Sequence, residues 1–182
     1  LALASNETRR LITLVNENLD YEKIRSNQIE LHKQPIQLYE LFEIIKEQLS
    51  EIAAEKNNQI IIQGDPFTIV HADYDRLTQV FINIAKNSIQ FTENGTITLQ
   101  SFTREDQVII EISDTGAGID PEHIEKIWRR FYKAIVSRTT NPYGEFGLGL
   151  SIVKQLITMH DGDIYVTSEK GKGTTFHIIL PR

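Results

Sequence analysis

The apolar positions of this chain follow two rhythms, one repeating about every 3.6 residues and one alternating, and the switches between them mark out its elements. Ala4, Leu11, Leu14, Val15 and Leu19 keep helical spacing with Arg9, Arg10 and Glu17 between them, which predicts an amphipathic opening helix. From the residues alone, that stripe packs either on its own domain or on a partner helix. "NQIELHKQPIQL" reads as extended, Ile29 and Leu31 alternating until Pro35 halts the pattern. Leu38, Leu41, Phe42, Ile45, Leu49, Ile52 and Ala53 predict a long helix ending near "EKNN". Short strands over 60–63 and 68–71 precede a further helix over 74–90, which carries Leu77, Val80, Phe81, Ile84 and Ala85 and closes at the turn "TENG".

The second half is richer in strands. Alternation predicts strands over 96–103 and 108–113 around the turn "REDQ", a hairpin that feeds the loop "DTGAGID" and a short helix from Pro121. Residues 133–146, "KAIVSRTTNPYGEF", have little periodicity and read as a long loop, a form that commonly serves as a lid. A helix with Leu150, Val153, Leu156 and Ile157 follows, then strands over 163–168 and 174–180 joined by "EKGKG". Helices together with antiparallel hairpins predict an α+β fold: a two-layer sandwich of one mixed, mostly antiparallel sheet with helices on one face, preceded by the N-terminal helix.

Composition narrows the function. A chain of 182 residues, 40% of them hydrophobic, suits one globular domain with a small extension. A net charge of -6 with no lysine or arginine block lacks the electrostatic footprint of a nucleic-acid or polybasic membrane-surface binder. The absence of cysteine excludes disulfides, zinc–thiolate sites and cysteine nucleophiles. No apolar run nears the roughly 20 residues of a spanning helix, and "LALASNETRR" lacks the ordering of a signal peptide. A soluble chain is expected. It opens within a helical pattern without an initiator methionine, so it is expected to be a piece of something longer.

Three features can carry chemistry. Gly144, Gly147 and Gly149 in "YGEFGLGLSIVK" complete neither a Walker A loop nor a dinucleotide fingerprint. They do bring flexible backbone to a helix N-terminus, where unpaired N–H groups near 147–150 suit an anion such as phosphate; an ordinary glycine turn is the alternative. Asn83 and Asn87 lie about 40° apart at one edge of an apolar stripe, where each amide needs a partner. A ligand or a hydrated cation such as magnesium would satisfy them, as would backbone or water. Asp114 ends the strand "VIIEIS" before Thr-Gly-Ala-Gly, placed either to accept from an exocyclic amine or to form an Asx turn.

Taken together, these motifs resemble the catalytic, ATP-binding domain of bacterial sensor histidine kinases, within the superfamily shared with gyrase, heat-shock chaperones and mismatch-repair ATPases. "DRLTQVFINIAKNSIQFT" looks like the family's N box, "DTGAGI" its first glycine box, "IWRRFYK" its F box, "GEFGLGLSIVK" its second glycine box and "GKGTTF" its closing motif. "RRLITLVNENLDYEKIRSNQIEL" resembles the second helix of the dimerisation and phosphoacceptor domain. The resemblance implies two regions. Residues 1–30 would be the end of that domain with its linker, and residues 31–182 the ATP-binding domain of Bergerat type.

Carried over by position, the resemblance implies that Asn87 coordinates Mg2+ on the phosphates of ATP, with Asn83 catalytic beside it. Asp114 would bind the adenine amine, with Gly116, Gly118 and Ile119 shaping the base pocket and Thr174 supporting it. Lys133 would reach the phosphates from the F box as a second catalytic group. Gly147, Leu148, Gly149 and Leu150 would donate backbone N–H groups to them, and 133–146 would be the ATP lid. Gln90 replaces a frequent lysine, keeping hydrogen-bond donors without charge, and Phe91 replaces a tyrosine, keeping a ring face for stacking. Trp128 stands where phenylalanine is common, and Glu145 puts a carboxylate near the phosphates.

His32, His71, His123, His160 and His177 lie in no stretch like the family's phosphoacceptor motif, and each reads as a surface or strand histidine. The expectation is therefore the nucleotide-binding part of a protein histidine kinase, unable to phosphorylate itself without the missing acceptor. Its expected partners are its own dimerisation domain in a homodimeric parent and a response regulator, with no nucleic acid. Its expected location is the cytoplasmic side of a bacterial inner-membrane protein. Two rival readings are an ATP hydrolase and a non-enzymatic scaffold. The first is disfavoured because the place of the water-activating Glu holds Asn83, and an amide is a poor general base.

Overall fold

The computed structural model describes residues 22–26, 28–129 and 149–182. In chain order these form β1 (Lys33–Gln37), α1 (Leu38–Glu55), β2 (Gln59–Gly64), β3 (Ile69–Asp73), α2 (Tyr74–Gln90), β4 (Thr96–Arg104), β5 (Gln107–Asp114), α3 (Gly149–Met159), β6 (Asp163–Glu169) and β7 (Gly173–Pro181). The opening stripe from Ala4 to Leu19 and the 133–146 loop lie outside the described residues.

Five strands pair in the order β2-β4-β5-β7-β6. Among the described residues only β2 runs parallel to its neighbour β4, because the chain crosses over between them through β3 and α2. The inward positions alternate along the central strands: Ile97 and Leu99 on β4, Val108, Ile110 and Ile112 on β5, Phe176, Ile178 and Leu180 on β7. The helices close over this face with Leu38, Leu41, Phe42, Ile45 and Leu49, with Leu77, Val80, Phe81 and Ile84, and with Ile152, Val153, Leu156 and Ile157. Phe42 and Phe81 meet with ring centroids 5.4 Å apart. Each such side chain contributes about 1.5–3 kcal/mol of burial, which is why a marginal helix such as the 11-residue α3 holds its place.

The expected two-layer α+β sandwich is the observed one, with four differences of detail. A second sheet pairs β1 with β3 antiparallel, so not all strands join one sheet. Pro35 lies inside β1 opposite His71, because β1 has a partner on one side only and a proline without an N–H fits an edge strand. The helix expected from Pro121 is two 3-10 turns, Pro121–His123 and Lys126–Trp128. Ile52 is 37% exposed, on the solvent edge of its helix, whereas Ala53 completes the buried stripe.

Both ends of α2 are fixed by side chains. At its start Asp73 accepts from the Arg76 N–H at 3.1 Å, satisfying a donor that the helix leaves unpaired. At its end the buried Asn58 amide donates to the Thr92 carbonyl at 2.8 Å while its oxygen accepts from the Gly95 N–H at 3.0 Å. Lys56 Nζ donates to the Gln90 carbonyl at 2.5 Å, a cation at the negative end of the helix dipole.

Candidate functional site

The two edges of the site are built on α2. Asn83 and Asn87 are both half-buried on it, as their place beside the apolar stripe implies. Among the described residues neither amide has a hydrogen-bond partner in the protein. Asn83 faces the first residue of α3: a Cβ placed on Gly149 would lie 3.6 Å from Asn83 Cγ and Oδ1. An unpartnered amide oxygen therefore sits beside a helix N-terminus, whose N–H groups favour an anion. Leu150, the next residue, packs its side chain on the core and keeps that first turn seated. Lys133, Gly147 and Leu148 lie outside the described residues.

About a turn and a half further along α2 lies Ser88, and Thr92 follows just past the helix end; both hydroxyls face Asp114. Asp114 ends β5 opposite Thr174 of β7. Its Oδ1 accepts from the N–H of Gly116 at 2.9 Å and from that of Thr174 at 3.2 Å. Burial pushes the carboxyl above its ordinary value of 3.8, against the opposing pull of the Gly116 N–H, the Ser88 hydroxyl, the Thr174 N–H and the Thr92 hydroxyl. The Ser88 and Thr92 hydroxyls are close enough to favour the charge. Both are buried, and neither completes a hydrogen bond of ordinary geometry. Unsatisfied buried hydroxyls cost about 1–3 kcal/mol each, which a bound polar group or water would recover.

The loop after Asp114 holds this edge open. A Cβ on Gly116 would collide with the Phe91 carbonyl and come within 2.6 Å of Thr92 Oγ1, so only glycine fits there. Gly118 adopts φ +75 where its Cα passes the Glu169 carbonyl. That approach is locked from both sides, by Ala117 N–H to the Phe91 carbonyl at 3.1 Å and Gly171 N–H to the Ala117 carbonyl at 2.6 Å. Phe91, just past α2, is 37% exposed. Gln90 is half-buried at the last position of α2.

Ser168 is a member of the site that sequence reading missed. Its Oγ accepts from the Ile119 N–H at 2.7 Å and donates to the Gly173 carbonyl at 2.9 Å. Its one proton is thereby used, so the Thr174 hydroxyl, 2.9 Å away, must donate to it. Thr174 Oγ1 then has only lone pairs to offer, as has the Asp114 carboxylate. An edge of acceptors suits a ligand presenting an amino group. Ser168 comes to Thr174 through cross-strand register, which a serine in a strand does not advertise; Ser88 and Thr92, by contrast, sit inside the N-box stretch. Trp128 packs edge-on against Phe176 at 5.9 Å with Lys154 Nζ over its ring at 5.5 Å, a structural role.

His160 also departs from expectation. It is neither on the surface nor in a strand but 3% exposed at the end of α3, with both ring nitrogens engaged. Among the described residues no three His, Cys, Asp or Glu side chains cluster as a metal site. A divalent ion at this mouth would therefore rest on amide oxygens, water and its ligand's own oxygens, a donor set that suits a hard ion such as magnesium.

Helices packed on one face of a mixed sheet, with glycine loops and an amide-bearing helix converging on one mouth, define a nucleotide-binding domain. The chain belongs to the family of histidine kinase-, DNA gyrase B- and HSP90-like ATPases, whose pattern matches residues 72–182. Sensor histidine kinase YclK of Bacillus subtilis (strain 168) is 58% identical over 180 residues, 99% of this chain and 38% of that protein. Full-length ShkA, solved in complex with AMPPNP, aligns with a TM-score of 0.88 at 30% identity over 98% of this chain and 37% of that one. Histidine kinase ThkA, solved with response regulator TrrA, aligns with a TM-score of 0.75 at 29% identity, covering 98% and 49%. The chain thus spans less than half the length of these proteins. Among the described residues no helix is long and apolar enough to cross a membrane.

Proposed function

We propose that this chain is the ATP-binding catalytic part of a sensor histidine kinase, which holds Mg-ATP so that its γ-phosphoryl group meets a histidine on a dimerisation domain. The observation that carries this reading is the Asn83 amide, without a partner among the described residues, set against the N-terminus of α3 on the same helix that presents Ser88 to Asp114, with Thr92 just past its end. One helix thereby spans a base edge made of acceptors and a phosphate edge made of N–H donors and amide oxygens.

In this reading Asp114 accepts a hydrogen bond from the adenine amine, and Gly116, Gly118, Ile119 and Thr174 shape and support the base pocket. Phe91 offers its ring for stacking, and Gln90 donates to phosphate. Gly147, Leu148, Gly149 and Leu150 donate backbone N–H groups to the phosphates, and Lys133 adds charge. Asn87, with Asn83 beside it, holds Mg2+, which neutralises phosphate charge. The acceptor imidazole attacks the γ-phosphorus, the bond to the bridging oxygen breaks, and ADP leaves. Transfer of this kind needs alignment and charge stabilisation more than covalent chemistry from the protein, so nucleotide and acceptor can sit on separate domains.

Residues 1–30 would belong to the dimerisation domain of a homodimeric parent and 31–182 to the catalytic domain. ThkA bound to TrrA supports a response regulator as the parent's partner, and the kinship with sensor kinases supports a domain on the cytoplasmic side of a membrane-anchored parent. Incubation with γ-labelled ATP tests the reading. This chain by itself is expected to take up no label, whereas mixing it with a dimerisation domain carrying the acceptor histidine is expected to label that domain. Label on this chain alone, or steady phosphate release without an acceptor, would overturn the division of roles.

A further inference from the structure

We infer that His160 and Asp73 form a clamp that sets the register of α2 against α3 and so positions Asn83 opposite the α3 N-terminus. The inference rests on the functional reading above and adds two residues to it. His160 Nδ1 lies 2.7 Å from the Leu156 carbonyl, which can only accept, so Nδ1 carries the proton. Nε2 is then a lone pair, and it accepts from the backbone N–H of Asp73 at 3.1 Å. Asp73 and His160 are 8% and 3% exposed, so each of these groups would be orphaned without the other.

The two helices run antiparallel, since the end of α3 meets the start of α2 at the clamp while the start of α3 meets Asn83. From Asp73 to Asn83 the helical path is about 15 Å, and from Gly149 to His160 about 16 Å. These matched lengths put the clamp at one end of a lever and the phosphate edge at the other. A slip of one residue at the clamp carries Gly149 about 1.5 Å along Asn83. Misplacement of about 1 Å in a positioned site is enough to cost as much as a hundredfold in rate, and hydrogen bonds stretched by that amount to a bound phosphate weaken steeply as well. A slip of α3 along α2 and the sheet bears less on the base edge, because Asp114, Gly116 and Thr174 are tied to one another by hydrogen bonds between β5, its following loop and β7, and Ser88 stays on α2. Asp73 Oδ2 also accepts from the His32 N–H at 2.9 Å, tying the same point to the segment that leads into β1.

The test separates the two edges. Adenosine probes the base edge, Mg-ATP probes both, and calorimetric titration of the full chain and its variants measures each. His160→Asn keeps a donor for the Leu156 carbonyl but does not reach Asp73, and it is expected to weaken Mg-ATP about tenfold or more while leaving adenosine within about twofold. His160→Gln restores an acceptor near the Nε2 position and is expected to recover Mg-ATP affinity to within about threefold of the parent. A merely structural residue would lower both affinities in parallel with the melting temperature. Parallel loss, unchanged Mg-ATP binding in His160→Asn, or no recovery in His160→Gln would overturn the clamp. A parent that fails to bind Mg-ATP would instead overturn the functional reading on which the clamp rests.

Discussion

Asp114→Asn separates binding from folding at a single atom. In the folded protein Oδ1 accepts the N–H groups of Gly116 and Thr174, and an asparagine oxygen can keep both. What changes is the other oxygen, which becomes an NH2 donor where the ligand is argued to present its own amine. The loss is that of a charge-assisted hydrogen bond, about 1.5–3 kcal/mol, or roughly 10- to 150-fold in Kd. Stability moves the other way. Burial raises the Asp114 carboxyl above 3.8, so its charge opposes folding at neutral pH. That cost is absent below the unfolded value and complete once the pH has risen through the raised folded value. The asparagine variant is therefore expected to melt at or above the parent temperature at pH 7, the difference narrowing as the pH falls through the raised folded value toward 3.8 and vanishing below it. Calorimetric titration with ATP and thermal unfolding across pH measure the two effects. Unchanged ATP affinity, or a loss of affinity matched by a loss of stability, would refute the placement of Asp114 against an amine.

Asn87→Ala is expected to leave adenosine affinity unchanged and to abolish the gain in ATP affinity on adding magnesium, read by titration with and without a chelator. Gly118→Ala forces a Cβ onto the Glu169 carbonyl at φ +75 and is expected to cost about 1–3 kcal/mol, visible as a shift in denaturant midpoint. Asp73→Ala removes the cap of α2 and the acceptor of the His32 N–H, for about 1–2 kcal/mol at pH 7. Burial pushes the Asp73 carboxyl up, but the His32 and Arg76 N–H groups, with the Arg76 guanidinium, hold it below 3.8. Its stabilising share is therefore present above that value and lost as the pH falls through the lowered folded value, so the gap between parent and variant is expected to close in acid.

The helix spanning Tyr74–Gln90 and the strands after it were legible because each is written locally, as a run of apolar positions at one period. The same holds for the site motifs that occupy contiguous stretches, such as Asn83 with Asn87 and Asp114 with Gly116 and Gly118. Pro35 was misread because its exclusion from strands holds only where both sides are paired, and pairing is a property of the sheet. Ile52 was misread because a helical stripe widens or narrows with the partner that covers it. His160 looked like a surface residue because nothing near it in the chain engages Nε2; its acceptor role depends on Asp73, 87 positions away.

Periodicity, turn residues and motif order by themselves determined the element types, the α+β class and the family resemblance, since all three are carried by neighbours along the chain. Tertiary structure alone decided that Ser88 and Thr92 face Asp114 unsatisfied, that Ser168 turns the Thr174 hydroxyl into an acceptor, and that His160 ties the two helices of the site together. Each of those depends on strand register or helix packing between distant segments, which bring donors within about 3 Å of acceptors only after the core has closed.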